Sequence, residues 1–429
     1  MSRRENTPVP HQVVLLRERS NFFSLSIVAI HKGEASTREK PYPPDAPLLP
    51  EVTHLNQDES LQRRRKDLLK EVERRGFETV ILLNEVINQN PGNFIYLCPD
   101  GIGDEHQSLI LNTNGDVNLV CPHWGAKAAE ESGKYSKVVA VRQEKGHHMR
   151  GTQVALTGYN PDKICFDLST MSSQFSYALA ETLHIKIDPK KDVSDHIFTM
   201  RSIKDEYEVA EIKRAINITE NAVYELIQAA TPGADTWKLK KRLDARLIEL
   251  GAQDHSFDST ISFCRGPRRP YSVVKHQDVL SVDVGVRVES GYCSDMGRTW
   301  PITLDAESKD FLDRIVKVQR GGIKHIREGV SGNEVLRYAN SLHEEHGFEP
   351  TPRCGHQIGL EVHDYTMPYA PNFGSIETDA QPLKAGMTLT YEPIRVDAKL
   401  GMRSHVEDIV LVTKGDPVIL NQMPLDIVF

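Results

Sequence analysis

VLSVDVGVRVESGYCSDMGRTW, residues 279–300, alternates Val282, Val284, Val286 and Val288 with Ser281, Asp283, Gly285 and Arg287, the period of a strand with one apolar face. Asp283 lies on the other face. A turn is expected at Glu289-Ser290-Gly291, and folding the chain about residue 289 sets Asp295, on the returning strand Tyr292–Trp300, opposite or nearly opposite Asp283. Two carboxylates across a strand pair repel each other and destabilise the sheet. Something positive should sit between them, and a divalent cation suits hard carboxylate oxygens that adjacent ions can share.

Working outward, the rest of the chain supplies what such a site would still lack. His356 lies in CGHQIGLEVHD, residues 354–364, where flanking glycines allow close backbone approach. MTLTYEP, residues 387–393, reads as a strand carrying Glu392 on the face of Thr388 and Thr390. A turn near residues 398–401 returns the chain through SHVEDIVLVT, residues 404–413, and brings Glu407 close to the level of Glu392. Carboxylates at Asp283, Asp295, Glu392 and Glu407 with a neutral His356 balance the formal charge of a pair of divalent ions, and a single ion would leave the balance negative.

The ordered set Asp283, Asp295, His356, Glu392, Glu407, with the strings GYCSDMGRTW, GHQIGLEVHD and SHVEDIVLVT, resembles the catalytic half of the M24 "pita-bread" metallopeptidases. That group holds methionine aminopeptidase, aminopeptidase P, prolidase (Xaa-Pro dipeptidase) and their non-peptidase relative creatinase. The segment before it resembles the creatinase/prolidase-type N-terminal domain, which methionine aminopeptidases usually lack. The resemblance implies an α+β pita-bread domain preceded by an α/β domain. It also implies a hydrolase of a peptide or amide C–N bond, most simply before proline or within an Xaa-Pro dipeptide. In that reading Asp283 and Asp295 hold one ion, while Asp295, His356, Glu392 and Glu407 hold the other, with Asp295 and Glu407 bridging. The cofactors implied are two divalent ions, Mn²⁺ first, then Fe²⁺, Co²⁺ or Zn²⁺. Water activated by the ions would attack. Glu392 would take its proton and pass one to the leaving nitrogen, and His363 would hydrogen-bond the substrate carbonyl. Dimeric relatives imply a homodimer.

The chain departs from the family around the substrate. Pro270-Tyr271 follows Ser256-Phe257-Asp258 where family peptidases carry Pro-His, so Tyr271 stands for the usual substrate-binding histidine. Glu392-Pro393-Ile394-Arg395-Val396 replaces Glu-Pro-Gly-Ile-Tyr, and His405 takes the place of the usual Arg two before the last glutamate. His405 reads equally as a group orienting the metal shell or as an outward-facing side chain. Arg265, Arg268 and Arg269 cluster in the altered loop and could clamp a substrate carboxylate. The set keeps a second reading open, a creatinase-like non-peptidase hydrolase or lyase acting on a small carboxylated metabolite. A metal-free interaction protein would have lost ligands, and every one is present.

Composition bounds the rest. The 429 residues carry 52 Lys+Arg against 60 Asp+Glu, a formal charge of −8 that gives no reason to expect nucleic acid as a partner. No apolar run approaches the roughly 18 residues of a membrane span, and the start MSRRENTPVP lacks the apolar core of a secretory signal. The cytoplasm is the expected compartment. Six scattered cysteines read as buried thiols. The expected organisation is an arm over residues 1–55, an α/β domain over 56–195 and the catalytic domain over 196–429. Within the α/β domain a helix at Ser60–Arg75 stopped by Gly76 precedes apolar runs at Thr79–Leu83, Phe94–Leu97, Lys137–Val141, Lys163–Phe166 and Ile185–Ile187. A hairpin is expected about Asn114-Gly115. The catalytic part should open with a capping-box-like Ser202…Asp205 and a helix ending at Thr231-Pro232-Gly233, followed by a second helix over Thr236–Leu250. Arg63-Arg64-Arg65 and Lys240-Lys241-Arg242 read as solvated helix faces.

Overall fold

Five short apolar segments too uniform to bury one face alone assemble into a mixed sheet ordered Lys137–Val141, Val117–Pro122, Gln107–Asn112, Thr79–Asn84, Ile164–Phe166. The central strands are buried on both sides, which is why they read as continuous runs rather than alternations. The outer two pairings are parallel and the inner two antiparallel. The antiparallel hairpin turns at Asn114-Gly115, where Gly115 takes the left-handed φ of +98°. The structure is a computed structural model and describes residues 55–84, 92–101, 106–142, 147–267, 270–364, 372–373 and 382–425. The expected N-terminal arm, apart from Leu55 at its end, and Arg268 and Arg269 lie outside the described residues.

The long helix Leu55–Arg74 stops before Gly76, at φ +84°. Phe94–Leu97, expected among the strands, belongs instead to a helix, Gly92–Leu97, with every residue buried; a short apolar run without alternation does not separate the two. Ile185–Ile187 adopts no regular structure. Ser202 closes the helix Ser194–Ser202, and Asp205 caps the following helix, Glu206–Ala229, in a capping box with Glu208. The carboxylate of Asp205 outcompetes a register three residues earlier because it satisfies the backbone N–H of Glu208.

Two basic runs are solvated only in part: Arg63, Lys241 and Arg242 are exposed, as expected, and the others are not. Arg64 and Arg65 are buried: Arg64 reaches the carbonyl of Tyr96 and the hydroxyl of Tyr292, and Arg65 the carbonyl of Leu97. Lys240 is buried between Asp244 and Asp258 at 2.8 Å from each. Charge runs at helical spacing conceal inward positions when carboxylates or carbonyls wait there. All six cysteines are free and buried, as expected.

The helices Glu206–Ala229 and Thr236–Glu249 pack on the strands that carry the conspicuous carboxylates. Those strands form two small antiparallel sheets. Val279–Val284 lies between Thr260–Phe263 and Met296–Pro301, and Asp408–Leu411 lies between Thr388–Tyr391 and Val418–Ile419. Beyond the second, the hairpin Arg395–Asp397 / Met402–Ser404 turns where the sequence places it. No helix among the described residues is long and apolar enough to cross a membrane.

Candidate metal centre

The first hairpin folds with one difference from its simplest reading. Val288 and Tyr292 are joined by a backbone hydrogen bond and Gly291 takes φ +91°, which centres the turn on Ser290 rather than on Glu289. A shift of one residue in the centre moves every partner by two. Asp283 therefore pairs with Gly297, and Asp295 lies diagonally across rather than opposite. The strand also breaks at Gly285, where a Cβ would stand 2.0 Å from the Ser294 carbonyl oxygen. The diagonal spares the sheet the direct carboxylate clash and opens a gap between the two acids.

The second hairpin behaves as expected. Tyr391 pairs with Asp408, so the next residues outward, Glu392 and Glu407, stand at one level. Arg298, fully buried, holds the far side of that strand through the carbonyl of Glu407 at 2.6 Å and the carboxylate of Asp408 at 2.8 Å. Gln319 donates to the Tyr391 carbonyl and to Asp408. These contacts fix the backbone and leave the Glu407 carboxylate free to face the other hairpin.

His356 enters from a two-residue strand. A Cβ on Gly355 would lie 2.2 Å from the Thr390 carbonyl oxygen, so only glycine lets the chain run this close, and Thr390 receives the His356 backbone N–H at 3.0 Å. The His356 Nδ1 stands 3.1 Å from the Gln357 carbonyl, an acceptor, so Nδ1 carries the proton. Nε2 is then left with its lone pair facing the Asp295 and Glu392 carboxylates, 3.4 Å from each.

Donor atoms of Asp295, His356 and Glu407 lie within 4.8 Å of one another, and so do those of Asp283, His405 and Glu407. The five acid and histidine positions expected from sequence thus converge. His405 joins them, pointing inward with Nδ1 3.4 Å from Asp283 and Nε2 3.3 Å from Glu392 and 3.6 Å from Glu407.

The electrostatics show how strained this gathering is. Burial, then the neighbouring acids Asp295, Glu392 and Asp283, push the Glu407 carboxyl well above its ordinary range. Burial lifts Asp283 to about 7, with the charges of Asp295 and Glu392 adding to the rise and that of His405 opposing it. For Glu392, burial works upward but the hydrogen bond from His405 and the charges of His356 and His405 outweigh it, leaving a carboxylate held below its usual range. Burial works against protonation of His356, yet its contact with Asp295 and the charge of Glu392 raise it. Both Glu407 oxygens and Oδ1 of Asp295 are buried without a hydrogen-bonding partner among the described residues. Buried carboxylate oxygens in that state are costly unless a cation completes them. Hard oxygens with one or two imidazoles are a donor set that divalent ions accept.

His363 lies against His356, ring centroids 4.1 Å apart and edge to face. Burial, then the charge of His356, lowers it. Its neighbour Asp364 is fully buried, ion-paired to Arg201 and, at 3.0 Å, to Lys204. A Cβ on Gly359 would lie 2.2 Å from Asp364 Oδ2, so that glycine makes room for the acid. Reading the sequence missed Arg201 and Lys204, which lie far away in the chain with no local signal.

Tyr271 packs edge-on against Trp237, ring centroids 5.0 Å apart, and is 37% exposed. Arg265 is committed to Asp305 at 2.9 Å and to Glu307 at 3.4 Å, which removes it as a carboxylate clamp.

Residues 210–414 match the model of metallopeptidase family M24. An uncharacterized peptidase of Staphylococcus saprophyticus is 26% identical over 338 residues, 73% of this chain and 88% of its own. An Xaa-Pro dipeptidase of Pyrococcus horikoshii is 26% identical over 340 residues, 77% of this chain and 90% of its own. The solved X-Pro aminopeptidase of Thermotoga maritima superposes with a TM-score of 0.68 at 22% identity, covering 85% of this chain and 98% of its own, a likeness of fold. The architecture is accordingly that of the pita-bread enzymes, with an N-terminal α/β domain before the catalytic one. With the M24 match running through the strands that gather these carboxylates, residues 210–414 are a metallopeptidase family M24 segment and the protein is a hydrolase.

Proposed function

We propose that the protein hydrolyses the peptide bond before proline, as an Xaa-Pro dipeptidase or aminopeptidase, with two divalent ions held by Asp283, Asp295, His356, Glu392 and Glu407. The observation that carries this reading is Glu407, whose two buried oxygens lack a hydrogen-bonding partner among the described residues at the meeting point of both donor groups. Bound ions would lower the pKa of water and polarise the scissile carbonyl. Glu392, a carboxylate braced by His356 and His405, accepts the proton of the attacking water and returns it to the leaving nitrogen. His363, beside His356, donates to the oxygen on which negative charge develops. Burial of Asp295, Glu392 and Glu407 excludes bulk water from them and strengthens their contacts.

Mn²⁺, Fe²⁺, Co²⁺ and Zn²⁺ all suit the oxygens. The catalytic part corresponds to residues 196–429, the α/β domain to 56–195 and the arm to 1–55, and the working form is a cytoplasmic homodimer. Arg268 and Arg269 stand in this reading as contacts for the substrate carboxylate. A second reading, cleavage of a C–N bond in a small carboxylated metabolite, is favoured by Tyr271, which stands where peptidases of the family carry histidine and packs on Trp237. The test is turnover of a panel of Xaa-Pro dipeptides and longer Xaa-Pro peptides by protein loaded with each ion. Hydrolysis of any of them supports the first reading. No turnover by protein that holds its ions rejects it for the second.

A further inference from the structure

We propose that His405 is itself a metal ligand, giving a ring nitrogen to the ion that Asp283 and Glu407 hold, so that each ion of the pair carries one imidazole. This rests on the dinuclear reading above. Its first support is placement. Asp283 is paired with Gly297, and a Cβ at Gly297 would stand 3.1 Å from His405 Cδ2 and 3.2 Å from Glu407 Cβ. The missing side chain is what lets the imidazole reach the acids.

The second support is distance. A charge-assisted N–H···O contact closes to about 2.7–2.9 Å. Neighbouring donors on a tetrahedral ion with bonds of about 2.1 Å stand roughly 3.4 Å apart. The His405 Nδ1 keeps 3.4 Å from Asp283. His356 keeps the same spacing, 3.4 Å from Asp295 and 3.4 Å from Glu392. Both imidazoles are held from the carboxylates at the separation of ligands that share an ion.

The third support is symmetry of donors. Glu407 is common to both groups, and each side then has its own histidine, His405 beside Asp283 and His356 beside Asp295. Nδ1 is the His405 nitrogen that faces Asp283, and Nε2 then presents its proton to Glu392. Arginine at this position stays protonated and has no lone pair to give. Histidine thus changes the site in kind, removing a fixed positive charge and adding a nitrogen donor. Nitrogen at both ions favours Co²⁺ and Zn²⁺ over Mn²⁺.

The experiment is proton NMR of the full-length protein loaded with Co²⁺, whose paramagnetism moves the ring N–H of any ligating imidazole far outside the normal range. Two exchangeable shifted signals are expected in the native protein, and one of them should vanish in His405→Gln. In competition, His405→Arg should move the preference of one ion at least tenfold toward Mn²⁺. A single shifted signal with two Co²⁺ bound would overturn the inference while leaving the dinuclear reading intact. Failure to retain Co²⁺ would overturn both. The count in the native protein needs no variant, so it decides the matter even if a substitution at 405 disturbs folding.

Discussion

Asp283 stands directly across its strand pair from Gly297, and the room left by that glycine is filled by the ring of His405. Gly297→Ala would bring a methyl group within 3.1–3.2 Å of His405 and Glu407, so both must give by a few tenths of an ångström. Small misplacements at reacting groups cost rate steeply. The expected result is a fall in kcat of roughly 10–100-fold with the fold kept, read by steady-state kinetics beside circular dichroism.

Asp295 is the diagonal acid, shared in the proposal by both ions. Asp295→Ala should abolish hydrolysis and reduce the bound metal from two ions per chain toward one, while the protein stays folded. Elemental analysis after gel filtration reads the stoichiometry; retained turnover would contradict the bridging role.

Glu407 is held buried among acids, with its carboxyl pushed well above the usual range by burial and by its neighbours. Glu407→Gln removes that repulsion. The metal-free variant should therefore unfold at a higher denaturant concentration than the metal-free native protein, by about 1–2 kcal/mol, while losing the stabilisation that added Co²⁺ or Mn²⁺ gives the native chain.

His343 supplies a pH dependence away from the centre. Its ring is fully buried, with Nδ1 donating to the Glu349 carbonyl, and burial, then the charge of Arg395, lowers it from 6.5 to about 4. The unfolded chain binds the proton more readily than the folded one. Stability from the neutral ring is thus complete above pH 6.5 and is lost as pH falls toward 4, on the order of 2 kcal/mol. Urea midpoints at pH 7 and pH 4.5 should differ by less in His343→Gln than in the native protein.

Arg201 links the loop of His363 to the N-terminal part through Asp364 and Asn93. Arg201→Ala leaves Asp364 with Lys204 as its remaining cation partner, and loss of one partner from a buried ion pair costs about 3–5 kcal/mol. Thermal unfolding should show that loss. Metal content should be unchanged, and kcat/KM should fall because His363 loses its support.

The local patterns carried the fold a long way. The alternation of Val282 to Val288, the Asn114-Gly115 turn, the helix stop at Gly76, and the level pairing of Glu392 with Glu407 all follow from short-range rules, because hydrogen-bond registers and glycine conformations are decided within a few residues. Where the pattern was ambiguous, as at Phe94–Leu97, burial on every side erased the periodicity that separates helix from strand.

The acids and His356 stood out in the sequence because carboxylates and imidazole are the side chains that divalent ions accept. The direction of His405 was not. Whether a histidine beside a strand end faces solvent or the acids depends on the absence of a side chain at Gly297, more than a hundred residues earlier in the chain, and on the turn centred at Ser290 that puts Gly297 there. The same holds for Arg64, Lys240 and the Arg201–Asp364 pair, whose charges are buried by partners distant in sequence. Sequence by itself determined which groups carry charge and which strands they ride on. Only the tertiary structure decided which of them meet, since that is set by long-range packing and by the desolvation that makes an unpartnered charge too costly to leave inside.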